Sequence, residues 1–244
     1  MKRLNYQRDR WEFGRLSRAF GQAPRCAMNP APEVKIGLTR VLRKVVKAAT
    51  HSKGGMPMQF ERLKIPEMLL VSPKKHGDQR GFFSETFRAD SFAAHGLEVA
   101  FVQDNHVYSR QKGVLRGLHF QLAPHAQGKL IRCARGAIYD VGVDIRLGSP
   151  TYGCHVGVEL SAENWRQLWV PPGFAHGYVT LEEDCEVIYK VTDYYAPECD
   201  RGIAWDDPAL GIDWRLSHAE IILSDKDRKQ PRLADAPPAF QFGQ

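Results

Sequence analysis

No stretch of this sequence approaches the roughly 20 uninterrupted apolar residues that a membrane-spanning helix needs. The first residues carry arginines where a signal peptide would place its apolar segment. Together these absences predict a cytoplasmic protein. Paired cysteines are missing as well: Cys26, Cys133, Cys154, Cys185 and Cys199 are odd in number and scattered, with no C-x-x-C pair that would signal zinc or redox chemistry. Free thiols in a reducing compartment account for them. There is no internal repeat.

A general basic surface for nucleic acid is also lacking once the charge is divided along the chain. The total is +6, yet residues 1–57 hold 13 Lys and Arg against 3 Asp and Glu, and residues 58–244 hold 21 against 25. The larger part is mildly acidic and offers a polyanion no broad surface, although a few arginines in a pocket could still hold a small phosphate ligand. No nucleic-acid partner is expected. With 244 residues, 43% hydrophobic and 25% charged, the chain is long enough for a sizeable core.

What is present divides near residue 57. Residues 1–33 are Arg-rich and include Pro24, Pro30 and Pro32, so poor order is expected there. Val34, Leu38, Val41, Leu42, Val45 and Val46 recur at helical spacing, and a basic amphipathic helix is predicted over 34–49. Such a helix could lie on a membrane or a partner, or do neither. His51-Ser52-Lys53-Gly54-Gly55 reads as a linker, and a domain is expected over 58–244.

From Met58 the pattern is one of short β-type runs between turns. The predicted strands are 68–71, 81–87, 101–108, 114–121, 129–133, 137–145, 154–160, 167–170, 175–181 and 185–192. So many strands in succession predict an all-β sandwich or barrel. In Tyr139-Asp140-Val141-Gly142-Val143-Asp144-Ile145 the apolar residues alternate, the signature of one buried face. Helix is expected only over 90–95 and after Asp207-Pro208, an N-cap followed by proline in the first turn.

Within Val114–Gln121 stands His119, in a strand pattern where histidine is unusual. Its ordinary pKa near neutrality suits a base that takes a proton from carbon. A histidine base, a tyrosine acid such as Tyr189 and a lysine such as Lys129 to stabilise negative oxygen would serve proton removal beside a carbonyl. His176, on the face shared with Tyr178, is the fourth candidate. The same residues could equally be packed or solvated, and spacing leaves both readings open.

Phe101-Val102-Gln103-Asp104-Asn105-His106, Leu115-Arg116-Gly117-Leu118-His119-Phe120-Gln121, Gln127-Gly128-Lys129-Leu130, Pro172-Gly173-Phe174-Ala175-His176-Gly177 and Tyr189-Lys190-Val191-Thr192-Asp193-Tyr194-Tyr195 resemble the dTDP-4-dehydrorhamnose 3,5-epimerase family. The resemblance runs in order from about Pro66 to Asp235 and does not extend to residues 1–57, which are therefore expected to be dispensable. It implies a cupin-type jelly-roll, a homodimer, no metal or organic cofactor, and a dTDP-deoxysugar substrate on the route to dTDP-L-rhamnose. It also implies that the first strand after Met58 is exchanged between subunits.

By the same resemblance His119 matches the base, Tyr189 the proton donor and Lys129 the residue near the keto oxygen. Arg80 and Arg116 match nucleotide-binding arginines, Tyr195 the ring stacked on thymine, and Glu85, Gln103, Asn105, His176 and Lys226 other ligand contacts. Asp200 stands where a glutamate is expected. Asp227 matches the carboxylate paired with the histidine base, but it also closes Ser224-Asp225-Lys226-Asp227, which has the S-x-x-D form of a helix capping box. In a regular strand Arg116 and His119 would face opposite ways, so a bulge at Gly117, or an Arg116 reaching round the rim, is required. Three other readings remain, one of them a sugar-nucleotide binding module without activity, which would need neither the acid nor the base. Relatives that invert only C3 or only C5 would keep the same groups. A metal-dependent cupin would use His119, His125 and His176, but its first motif needs an H-x-H pair and Gln121 occupies the second place.

Overall fold

A computed structural model of the protein describes residues 58–243. The extension and its predicted amphipathic helix over 34–49 lie outside the described residues. The strands, in chain order, are β1 (Met58–Arg62), β2 (Leu69–Pro73), β3 (His76–Asp78), β4 (Gly81–Phe83), β5 (Gln103–Ser109), β6 (Leu115–Gln121), β7 (Lys129–Arg135), β8 (Ala137–Asp144), β9 (Arg146–Leu147), β10 (His155–Ser161), β11 (Gln167–Val170), β12 (Phe174–Thr180), β13 (Cys185–Val191), β14 (Asp200–Gly202) and β15 (Phe240–Gln241). A short helix, α1 (Ala89–Ala94), precedes β5.

Two antiparallel sheets carry the fold: six strands in the order β1-β2-β11-β7-β13-β5 and five in the order β10-β8-β12-β6-β14. This is the expected all-β jelly-roll. Between the sheets Ile131, Leu168 and Val187 of the larger meet Ile138, Leu160 and Phe174 of the smaller. The outer face of the smaller sheet is covered by the C-terminal segment, through Trp205, Leu210 and Trp214. On the larger sheet Phe92 of α1 packs with Leu69, Val71 and Trp169.

The structure departs from the sequence reading at several points. β8 is buried along its whole length. Tyr139, Val141 and Val143 face the C-terminal cover, while Ile138 faces the other sheet, so alternation detected only one of two buried faces. The helix after Asp207-Pro208 is only a turn although the expected cap is made, Asp207 Oδ1 accepting from Ala209 N at 2.9 Å while its other oxygen accepts from Leu233 N at 2.8 Å. Gly211, at φ 58°, follows immediately. The run over 81–87 ends as a strand at Phe83 and forms the hairpin β3–β4. β1 pairs with β2 of its own chain in a five-residue register. Cys133, Cys185 and Cys199 are free and buried, but the free-thiol expectation does not extend to Cys154, which is disulfide-bonded. Among the described residues no helix is long and apolar enough to cross a membrane.

Candidate active site

Between the sheets lies a two-lobed cavity of about 420 and 360 Å³, whose lobes share His119, Lys129, Tyr189 and Lys226. His119 comes from β6 of the smaller sheet, Lys129 and Tyr189 from β7 and β13 of the larger. Histidine and tyrosine therefore stand on opposite walls.

Gly117 makes this possible. In the β6–β12 register His176 lies opposite His119 and Tyr178 opposite Arg116, so Gly117 and Leu118 together face Gly177. That is a bulge, and it turns Arg116 and His119 toward one cavity. A side chain at Gly117, where φ is 138°, would put Cβ 2.5 Å from the Gly177 Cα.

His119 Nε2 lies 2.5 Å from Asp227 Oδ1. Asp227 is delivered by a single 3-10 turn, Asp227–Lys229, and is 4% exposed. Burial opposes ionisation of this carboxylate, but the His119 and Ser224 hydrogen bonds outweigh it and its pKa is lowered. The Ser224 hydroxyl donates to Asp227 Oδ2 at 2.8 Å and accepts from Asp227 N at 3.1 Å. Asp227 thus pairs with the histidine and is tied to Ser224 at once, its backbone N–H held by the serine hydroxyl, while Lys226, next before the turn, makes no side-chain cap.

Burial brings the Lys129 ammonium down to about 8, partly countered by Asp200 and Asp140. It remains largely a cation at neutral pH, without a carboxylate of its own among the described residues, and its Nζ lies 3.4 Å from the His119 carbonyl. Burial raises the Tyr189 phenol, so it keeps its proton throughout the neutral range. His176 lines the same cavity, with Nε2 2.7 Å from the fully buried Asp140 Oδ1. Burial lowers its pKa despite that carboxylate, and the nearby Lys129 ammonium acts in the same direction.

The second lobe is polar. Gln103, Asn105, Tyr195 and Asp200 line it. Gln103 donates to Asn105 Oδ1 at 2.9 Å and accepts from Tyr195 N at 3.2 Å. Asp200 takes hydrogen bonds from Lys226 Nζ and, at 3.1 Å, from the Tyr195 hydroxyl. Two expected contacts are not brought here. Arg80 sits exposed on the β3–β4 hairpin, paired with Asp78 at 2.6 Å, and Glu85 faces Arg88 at 3.6 Å. His119, His125 and His176 each engage a different carboxylate, Asp227, Asp193 and Asp140. Among the described residues no group of His, Cys, Asp and Glu is placed to hold a metal ion.

Asp140 and Ser224 were not among the sequence candidates. Asp140 had a signal: a carboxylate inside an apolar alternating strand needs a partner. Ser224 was visible only as a capping residue.

The family model described as dTDP-4-dehydrorhamnose 3,5-epimerase matches residues 62–235. The chain belongs to this family. A dTDP-4-dehydrorhamnose 3,5-epimerase of Sinorhizobium fredii is 55% identical over 185 residues, 76% of this chain and 94% of the relative. That of Escherichia coli is 50% identical over 173 residues, 70% and 92% of the two chains. The crystal structure of a dTDP-6-deoxy-D-glucose-3,5-epimerase from Legionella pneumophila, in complex with dTDP-4-keto-L-rhamnose, superposes with a TM-score of 0.73 at 45% identity. It covers 77% of this chain and all of the other. A 3'-monoepimerase from Streptomyces bikiniensis, in complex with dTDP-quinovose, is similar at TM-score 0.67 and 36% identity, covering 71% and 87%. Members of the epimerase family are isomerases, and the two-walled cavity of this chain is the feature that such chemistry needs.

Proposed function

We propose that the chain inverts C3 and C5 of dTDP-4-dehydro-6-deoxy-D-glucose, giving dTDP-4-dehydro-L-rhamnose for dTDP-L-rhamnose synthesis. A hydrogen beside the C4 ketone is acidic because the carbanion it leaves is an enolate. His119 takes that proton, with Asp227 holding the ring and balancing the imidazolium as it forms. Lys129 stabilises charge growing on the C4 oxygen. Tyr189 returns a proton to the other face. The observation that carries the reading is that His119 and Tyr189 stand on opposite sheets across one cavity, with the buried Lys129 beside them.

In this reading the nucleotide occupies the polar lobe, with Tyr195 stacked on thymine and Gln103, Asn105, Asp200 and Lys226 around it. Arg116 grips phosphate from the bulge, and His176 meets the sugar. Arg80 and Glu85, remote from the cavity of their own chain, serve that of a partner copy. The protein is thus a homodimer whose hairpins, with Phe82 and Phe83 exposed at 52% and 68%, reach across the interface.

The test is product stereochemistry. Incubation with dTDP-4-dehydro-6-deoxy-D-glucose, followed by NMR of the product, should show inversion at both carbons. Similarity to a 3'-monoepimerase favours a second reading, and inversion at one carbon alone would establish it in place of the first.

A further inference from the structure

The carboxylate at the centre of this cavity comes from a residue 108 positions away from the histidine it meets, on a segment with little regular structure of its own. Two backbone bonds tie that segment to the strand before the bulge: Leu115 N to Ile222 O at 2.9 Å and Ile222 N to Gly113 O at 2.8 Å. Between this anchor and Asp227 stands one side chain that touches the carboxylate, Ser224. We infer that Ser224 is a positioning residue for proton transfer, fixing the Asp227 carboxylate so that Oδ1 meets His119 Nε2.

Asp227, only 4% exposed, has two carboxylate oxygens, and its imidazole contact uses one of them. The second is held by the Ser224 hydroxyl at 2.8 Å, and the same hydroxyl oxygen accepts the Asp227 backbone N–H at 3.1 Å. One hydroxyl thereby fixes both the turn and the rotation of the carboxylate about Cβ–Cγ. Without it, Oδ2 becomes a buried acceptor with no donor, and the carboxylate turns toward whatever donor it can reach. A hydrogen bond to an ionised group is among the stronger kinds, so its loss should be felt at the group the carboxylate orients. Ser224 itself is exposed, so a methyl added there meets little resistance.

The inference rests on the epimerase reading only where turnover is the readout. Ser224→Ala should lower kcat about tenfold or more, the factor expected for a lost charge-assisted bond, with KM within about twofold. Ser224→Thr, which keeps the hydroxyl, should restore most of kcat. In the double variant with Asp227→Asn, kcat should be no lower than in Asp227→Asn alone, because the serine acts through the carboxylate. Thermal melting of each variant checks the fold. A second readout needs no turnover: the downfield imidazole proton of His119, seen by NMR, should move in Ser224→Ala and return in Ser224→Thr. An unchanged kcat in Ser224→Ala, a loss confined to KM, additive losses in the double variant, or an unmoved imidazole proton would each overturn the assignment. A wild-type protein without turnover but with the imidazole response would count against the epimerase reading and leave the positioning role supported.

Discussion

At the scale of single residues the site depends on burying ionisable groups without leaving them idle. Lys129 is the clearest case: burial costs the ammonium stability, and its pKa falls to about 8. The cation that would hold the enolate oxygen is therefore lost as the pH rises through that value. We expect kcat/KM, which reports the free protein, to fall on the alkaline side with an apparent pKa near 8. In Lys129→Met the rate should drop about 10²–10³-fold, as for loss of an oxyanion donor, and that limb should disappear. A limb near pH 8 that persists in the methionine variant would assign it elsewhere. Tyr189, raised by burial, keeps its proton across this range and should not produce the limb.

At the scale of elements, one buried carboxylate secures the turn between β8 and β10. Asp144 accepts from Arg146 Nε at 2.9 Å and Nη2 at 2.7 Å, and from the Ser149 and Thr151 hydroxyls at 2.6 Å each. Burial opposes its charge, these donors outweigh burial, and the pKa is lowered. Asp144→Ala should destabilise the fold by roughly 3–5 kcal/mol, because the partly buried Arg146 loses its main partner. Because the folded pKa lies below the unfolded one, this contribution is complete above about pH 4 and is lost as the pH falls toward the folded value. Urea denaturation of both proteins at neutral and at acid pH checks this: the gap between them should narrow on acidification, and a constant gap would contradict it. These elements also show what the sequence could convey. β6, β7, β12 and β13 were legible because each is an apolar run between turn signals, and the candidates they carry line one cavity. The bulge at Gly117 was required by the demand that Arg116 and His119 share a face. Of the hairpin β3–β4 only the second strand was legible, within the run over 81–87, since the exposed His76-Gly77-Asp78 carries no periodicity. At Asp207 the cap signal was sound, but the turn it opens stops at Gly211, whose φ of 58° is left-handed.

At the scale of the whole molecule, a single chain leaves part of the proposed site unfilled. Arg80 and Glu85 do not line the cavity of their own chain, and the exposed edges of a jelly-roll need covering. Sedimentation of the protein at micromolar concentration should give a dimer or an assembly of dimers, and Arg80→Ala should raise KM while leaving the fold intact. A clean monomer with full activity would remove the proposed role of the hairpin.

The division of labour between the two walls is the centre of the account, and hydrogen exchange measures it most directly. In deuterated water, His119→Ala should abolish both inversion and entry of deuterium at C3 and C5, because no enolate forms. Tyr189→Phe should lose inversion by about 10²–10⁴-fold, the usual cost of a missing general acid, while deuterium still enters through reprotonation by His119 on the original face. Equal loss of exchange in the two variants, or normal turnover in His119→Ala, would contradict it.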